Sequence, residues 1–172
     1  MGGVLFIDEA YSINSEDNYS RECISTLIKT MEDHRDNLCV ILAGYPQEME
    51  ELLKSNSGFE SRIAFKIDFP SYKEAELYQI FTNMLKDEGF KLNRNCKAIV
   101  EDYFRNEINN NKDNFSNGRL VRNLTEKIKM EQANRIIKQK SKDLDLIIAD
   151  DITAVVEKIK TKPSKPTIGF IV

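Results

Sequence analysis

Glycine, histidine and cysteine are all scarce in this 172-residue sequence, and each scarcity removes a class of function. None of the seven glycines falls in a GxxxxGK[ST] pattern, so no segment can cradle a phosphate in backbone amides backed by a lysine. The three cysteines, Cys23, Cys39 and Cys96, are an odd number, far apart, and lack a CxxC partner or a histidine at metal-ligand spacing. That excludes a disulfide framework and a zinc site, and leaves reduced core residues as the expectation. The one histidine, His34, stands among Glu32, Asp33 and Asp36 and reads as a solvated cation at a helix end rather than a catalytic group. A basic surplus is missing too: the net charge is −3 and the pI about 5.4, which speaks against a bulk nucleic-acid binder. No apolar run approaches the roughly 20 residues that span a bilayer, and no signal segment opens the chain. Met1-Gly2-Gly3 does not make a myristoylation signal, because Phe6 stands where Ser or Thr is needed. These features read as a cytoplasmic protein with no membrane and no nucleic-acid partner.

What is present is ordinary globular material, 41% hydrophobic and 31% charged, enough for one medium domain or two small ones. Val4 to Ile7 is a continuous apolar run closed by Asp8-Glu9, the pattern of a strand buried on both faces with acids at its carboxyl end. From about Asp17 to Asp33, apolar residues recur at three- and four-residue steps, which predicts an amphipathic helix. Leu38 to Ala43 predicts a second strand, and Pro46 suits the first turn of a helix carrying Met49, Leu52 and Leu53. A Ser55 to Gly58 loop then leads through Arg62 to Ile63–Phe69, whose partial alternation predicts a third strand, closed by Pro70.

Beyond Pro70 the pattern becomes helix after helix with no further long strand. Ser71 is placed to cap a helix from about Lys73 to Glu88 that stops at Gly89, and Asn93 one that runs to about Ile108. An Asn- and Asp-rich loop, Asn109 to Gly118, precedes the longest helical pattern, Arg119 to about Lys140, with Val121, Leu124, Ile128, Ala133 and Ile136 as core contacts. Asp150 or Asp151 caps a last helix to about Ile159. The expected organisation is an α/β unit over residues 1–70, a helical unit over 71–160 and a Lys- and Pro-rich tail over 161–172.

Two adjacent acids at the carboxyl end of a buried strand sit where α/β sheets bind ligands. In phosphoryl transfer from a nucleotide, one carboxylate holds magnesium and its neighbour orients and deprotonates the attacking water. Asp8 is then the metal-side acid and Glu9 the general base. The dipeptide alone equally suits a strand end entering a solvated loop.

The longer run Gly-Gly-Val-Leu-Phe-Ile-Asp-Glu-Ala-Tyr is more specific. It resembles the Walker B segment of AAA+ ATPases, in particular the subfamily containing the rubisco activase CbbX and stage V sporulation protein K. Met31-Glu32-Asp33-His34-Arg35-Asp36 and Val40 to Pro46 are similar to the following helix and sensor-1 strand of that subfamily. Ser57 to Arg62, with Phe69 to Tyr72, resembles its arginine-finger region; Asn117 to Leu124 its sensor-2 helix start; and Ile168-Gly169-Phe170 its end.

The resemblance implies a truncated P-loop NTPase sheet followed by a helical lid, ATP and Mg²⁺ as cofactors, and a ring homo-oligomer that remodels a protein partner. Arg62 is implied as the arginine finger, which acts on a neighbour's nucleotide, against the plainer reading of a surface arginine closing a turn. Arg119 is implied as sensor 2, and a cation in a helix's first turn makes more sense beside an anion. Arg122, one turn on, equally suits a local acid. Many of these ATPases place Asn or Thr at the sensor-1 position, where this sequence has Gly44-Tyr45, so Tyr45 either presents its hydroxyl to the nucleotide or simply packs.

With the phosphate loop of the family missing, the chain is expected to be the downstream part of a longer ATPase, inactive alone and with an exposed apolar strand edge. The alternative is a non-hydrolysing scaffold that docks on intact AAA+ subunits. The retained acids and arginines favour the former.

Overall fold

A computed structural model describes residues 2–14, 17–55, 57–110 and 115–161. The chain divides after Phe69 into two compact units, each with its own core.

In the first unit, β1 (Gly3–Ile7) runs parallel to β2 (Leu38–Leu42), in register from Gly3 opposite Leu38 to Ile7 opposite Leu42. A parallel pair needs a crossover, which α1 (Asn18–Asp33) supplies. Asp17 caps that helix, its carboxylate accepting the Ser20 N–H at 2.7 Å. Pro46 opens α2 (Pro46–Ser55), and a short α3 (Ser57–Glu60) follows where the sequence predicted only loop. Ala10, Ile24, Leu27, Leu52, Leu53 and Phe59 form the core, all on one side of the strand pair.

The strand buried on both faces is not observed: Val4 is 69% and Phe6 59% exposed, because among the described residues nothing packs on the face opposite the core. The third strand is also absent among the described residues. Residues 63–69 have no ladder partner and carry no strand, and Phe65, Ile67 and Phe69 face solvent. Alternation prepares a chain for a sheet, but a strand exists only where a neighbour accepts its hydrogen bonds.

The second unit is α4 (Glu74–Asp87), α5 (Cys96–Asn110), α6 (Asn117–Gln139) and α7 (Ala149–Thr161). A two-residue parallel pair, β3 (Lys91–Leu92) with β4 (Leu146–Ile147), ties the α4–α5 connection to the α6–α7 connection. Leu77, Phe81, Phe104, Leu124, Ile128 and Ile152 are fully or almost fully buried between the four helices, with the Phe81 and Phe104 rings edge-on at 6.5 Å.

Ser71 does not cap α4. Lys73 holds that position, its N–H donating to Glu76 at 2.8 Å, and Gly89 ends the helix at φ 82. Ala133 is exposed rather than core, and Ile136 half-buried. Cys96 is buried as expected, whereas Cys23 and Cys39 are exposed. The Lys- and Pro-rich tail and Ile168-Gly169-Phe170, apart from Thr161, lie outside the described residues, as do positions 111–114 of the Asn-rich loop.

Candidate functional site

The acids predicted from sequence lie at the carboxyl end of β1. Asp8 follows the last strand residue and accepts the Glu9 N–H at 3.1 Å. Glu9 takes the left-handed conformation, φ 49 and ψ 45, uncommon for a residue with a side chain, and turns the backbone sharply off the sheet. A 3-10 turn, Ala10–Ile13, follows. Two backbone bonds fasten this corner to β2: the Ala43 N–H donates to the Ile7 carbonyl and the Ala10 N–H to the Ala43 carbonyl, both at 2.9 Å. Ala10 is fully buried beneath the corner. Two exposed carboxylates thus stand side by side at the rim of a parallel pair, on a backbone held at two points.

The end of β2 completes the rim. Gly44 and Tyr45 follow the strand, and the Tyr45 ring lies 6.2 Å from that of Tyr11. Tyr45 is exposed and Tyr11 half-buried. Partial burial pushes the Tyr11 phenol above its ordinary pKa, helped by Glu9, Tyr45, Glu48 and Asp8, so it stays protonated beside the acids at neutral pH. The sequence reading missed Tyr11. Its signal was its place three residues after Asp8 in the run that carries the resemblance, but the reason for its being there is a contact with the end of the other strand.

An Mg²⁺ ion suits this rim. Carboxylate oxygens are its preferred protein ligands, one or two carboxylates suffice, and the remaining positions belong to water and phosphate. Asp8 is exposed and makes no ion pair among the described residues. No group of three or more His, Cys, Asp or Glu forms a self-sufficient metal cage among the described residues.

Arg62 lies at the other end of the same unit, just past α3. Its guanidinium pairs with Glu32 in the last turn of α1 and donates to the Gly58 carbonyl at 3.2 Å and the Ser61 hydroxyl at 3.4 Å. A glutamate near a helix C-terminus is disfavoured by the helix dipole, and the arginine offsets that cost. Partly exposed pairs of this kind, here 31% at Arg62 and 63% at Glu32, contribute about 0–1 kcal/mol.

Arg119 belongs to the second unit, in the first turn of α6, exposed. The preceding Asn117 is left-handed at φ 42. Its amide donates to the Ser71 hydroxyl and the Phe115 carbonyl, each at 3.2 Å, and its oxygen accepts the Tyr72 N–H at 2.8 Å. The start of the Arg119 helix is therefore fixed to the first residues of its unit. Within the first unit Asp8, Glu9 and Tyr45 share one rim and Arg62 is held elsewhere, while Arg119 belongs to the second unit.

Residues 2–70 match the ATPase family associated with various cellular activities (AAA), and residues 73–162 match the AAA lid domain. Among curated relatives, the chain is 42% identical over 148 residues to protein CbbX of Cereibacter sphaeroides, covering 84% of this chain and 47% of that one. It is 41% identical over 160 residues to a CfxQ homolog of Galdieria sulphuraria, covering 88% and 52%. The chain spans about half the length of the relatives it matches. Among solved structures, the AAA domain of FIGL-1 superposes with a TM-score of 0.58 at 18% identity over 95% of this chain and 52% of that one, a likeness of fold.

Proposed function

This chain belongs to the AAA family of ATPases, in its CbbX/CfxQ branch, and we propose that it is the downstream portion of a ring-forming ATPase that remodels a protein partner. The observation that carries this reading is the Asp8-Glu9 corner, two exposed carboxylates fixed at the carboxyl edge of a parallel strand pair.

In the proposed site Asp8 holds the magnesium that accompanies ATP. A magnesium ion held there would supply positive charge against that of the phosphates. Glu9 orients a water and takes its proton as the water oxygen bonds to the terminal phosphorus and the bond from that phosphorus to ADP breaks. Tyr45 faces the nucleotide from the end of β2. Arg119 answers to the terminal phosphate from the lid.

Arg62 leaves Glu32 and reaches the phosphate bound to an adjacent subunit, an effect of about 10³–10⁵ in rate where such arginines have been removed. That role requires a neighbour, which is why the reading includes a ring. The 172-residue chain alone, with no GxxxxGK[ST] segment, turns over no ATP in this reading.

The test is ATP turnover by the 172-residue chain and by the ATPase that carries it behind a phosphate-binding half. The expected result is no turnover by the first and turnover by the second, with Glu9→Gln in the second retaining bound ATP while hydrolysis falls at least about 10²-fold. Full turnover by Glu9→Gln, or turnover by the chain alone, overturns the proposal.

A further inference from the structure

Gly44 has an ordinary backbone conformation, so its need for glycine lies in space and not in φ. A Cβ at this position would stand 2.7 Å from Tyr11 Cδ1, 2.8 Å from Met49 Sδ and 3.0 Å from Met49 Cγ. The ring of Tyr11 thus rests directly on the backbone at the end of β2. Met49 closes the other side, and α2 is tied to the same spot by the Met49 N–H donating to the Tyr45 carbonyl at 2.9 Å.

Tyr11 is the second residue of the 3-10 turn that Glu9 enters in its left-handed conformation. Ala10, between them, is fully buried and bonded to the Ala43 carbonyl. With Ala10 fixed on one side and the Tyr11 ring seated on Gly44, the turn has little freedom to unwind. A left-handed residue that is not glycine persists only where its surroundings hold it.

We propose that Tyr11 is a positioning residue for hydrolysis: its ring, seated in the space Gly44 leaves open, locks the left-handed turn that presents the Glu9 carboxylate. The seat needs the flat ring and not the hydroxyl. This inference rests on the reading of Glu9 as the water-activating base, and it adds two residues, Tyr11 and Gly44, that act through Glu9 without touching nucleotide. Loss of the seat leaves ATP binding in place and disorders the base, so it lowers kcat and leaves KM for ATP nearly unchanged.

The experiment is steady-state turnover in the intact ATPase that carries this chain, with Glu9→Gln, Tyr11→Phe, Tyr11→Ala, Gly44→Ala and the double variant Tyr11→Ala/Gly44→Ala. Expected are wild-type kcat for Tyr11→Phe and a fall of about tenfold for Tyr11→Ala and for Gly44→Ala, each with KM within about twofold. Because both act through one contact, the double variant falls no further than Tyr11→Ala, whereas independent effects multiply to about a hundredfold. If Tyr11→Ala does not fold, Tyr11→Leu keeps the bulk without the ring and is expected at least about threefold below Tyr11→Phe. Wild-type kcat in Tyr11→Ala, Tyr11→Leu or Gly44→Ala beside an inactive Glu9→Gln overturns the positioning role alone. Full turnover by Glu9→Gln overturns the base reading and this inference together.

Discussion

The two units of this chain solve the problem of burial to different degrees. The second closes four helices over Phe81, Phe104, Leu124 and Ile128 and leaves its strands as a two-residue tie. The first has a smaller core on one side of two strands, while Val4, Phe6, Phe65, Ile67 and Phe69 remain in water. The acids proposed for chemistry stand on the less complete unit. Sheet stability comes from partners on edges and faces, whereas a helical cluster can complete itself, so one chain carries one closed core and one open one.

The largest effect expected from this contrast is on stability. Phe104→Ala removes a fully buried ring and is expected to lower the stability of the second unit by about 3–5 kcal/mol. Phe6→Ala, at a side chain 59% exposed, is expected to change stability by under about 0.5 kcal/mol. Hydrogen exchange read by mass spectrometry reports the two units separately, with slow amides in α4 and α6 and faster ones in β1. A cost for Phe6→Ala equal to that of Phe104→Ala would abolish the contrast.

A smaller effect sharpens it. Arg135 on α6 donates to both carboxylate oxygens of Asp151, at 2.7 and 3.1 Å, and to the Leu146 carbonyl at 2.8 Å. Asp151 also accepts the Ile148 N–H at 3.0 Å, and its side chain is 1% exposed against 13% for Arg135. This buried pair joins β4 and the start of α7 to α6, so the second unit is closed by a polar lock as well as by rings. Asp151→Ala leaves the guanidinium and the Ile148 amide without their acceptor, an expected cost of about 3 kcal/mol. Arg135→Met with Asp151→Leu removes both charges and is expected to cost less than Asp151→Ala alone. Urea unfolding of the three chains checks the order, and a double variant less stable than Asp151→Ala reverses the reading.

The same contrast explains what the sequence made legible. The helices were readable because their periodicity is local, and the stop of α4 at Gly89 was readable because a left-handed glycine ends a helix. The existence of β1 and β2 was readable from their apolar runs, but the burial of β1 was not, because burial belongs to whatever lies against a strand. Residues 63–69 show the same limit, with alternation and no ladder. At the rim, Asp8 and Glu9 stood out as adjacent acids ending an apolar run. Tyr11 did not, because its partner Gly44 lies beyond α1 and a glycine's need for space leaves no local pattern. Asn117 and Ser71 were missed as a pair for the same reason: Ser71 looked like a helix cap until its hydrogen bond to a distant amide was visible.

The smallest expected effect is the acid sensitivity of the second unit. Hydrogen bonding from Lys91, at 2.7 Å, holds the Asp145 carboxyl below its ordinary pKa, and hydrogen bonding from Arg105 does the same for Glu74. A carboxyl whose pKa is lower folded than unfolded contributes stability above its unfolded pKa of about 4 and loses it as pH falls through the folded value. Both side chains are partly exposed, 45% for Asp145 and 39% for Glu74, so solvent and salt screen the contribution. The melting temperature of the second unit is therefore expected to be flat from pH 7 to about 5 and to decline below about 4. Asp145→Asn is expected to make that decline shallower, and added salt to shrink the difference between the two chains. The Lys91–Asp145 pair fastens β3 beside β4, so an unchanged acid slope in Asp145→Asn would mean the short tie is held by its backbone bonds alone, Lys91 N–H to the Asp145 carbonyl at 2.8 Å and Asn93 N–H to the Ile147 carbonyl at 3.0 Å.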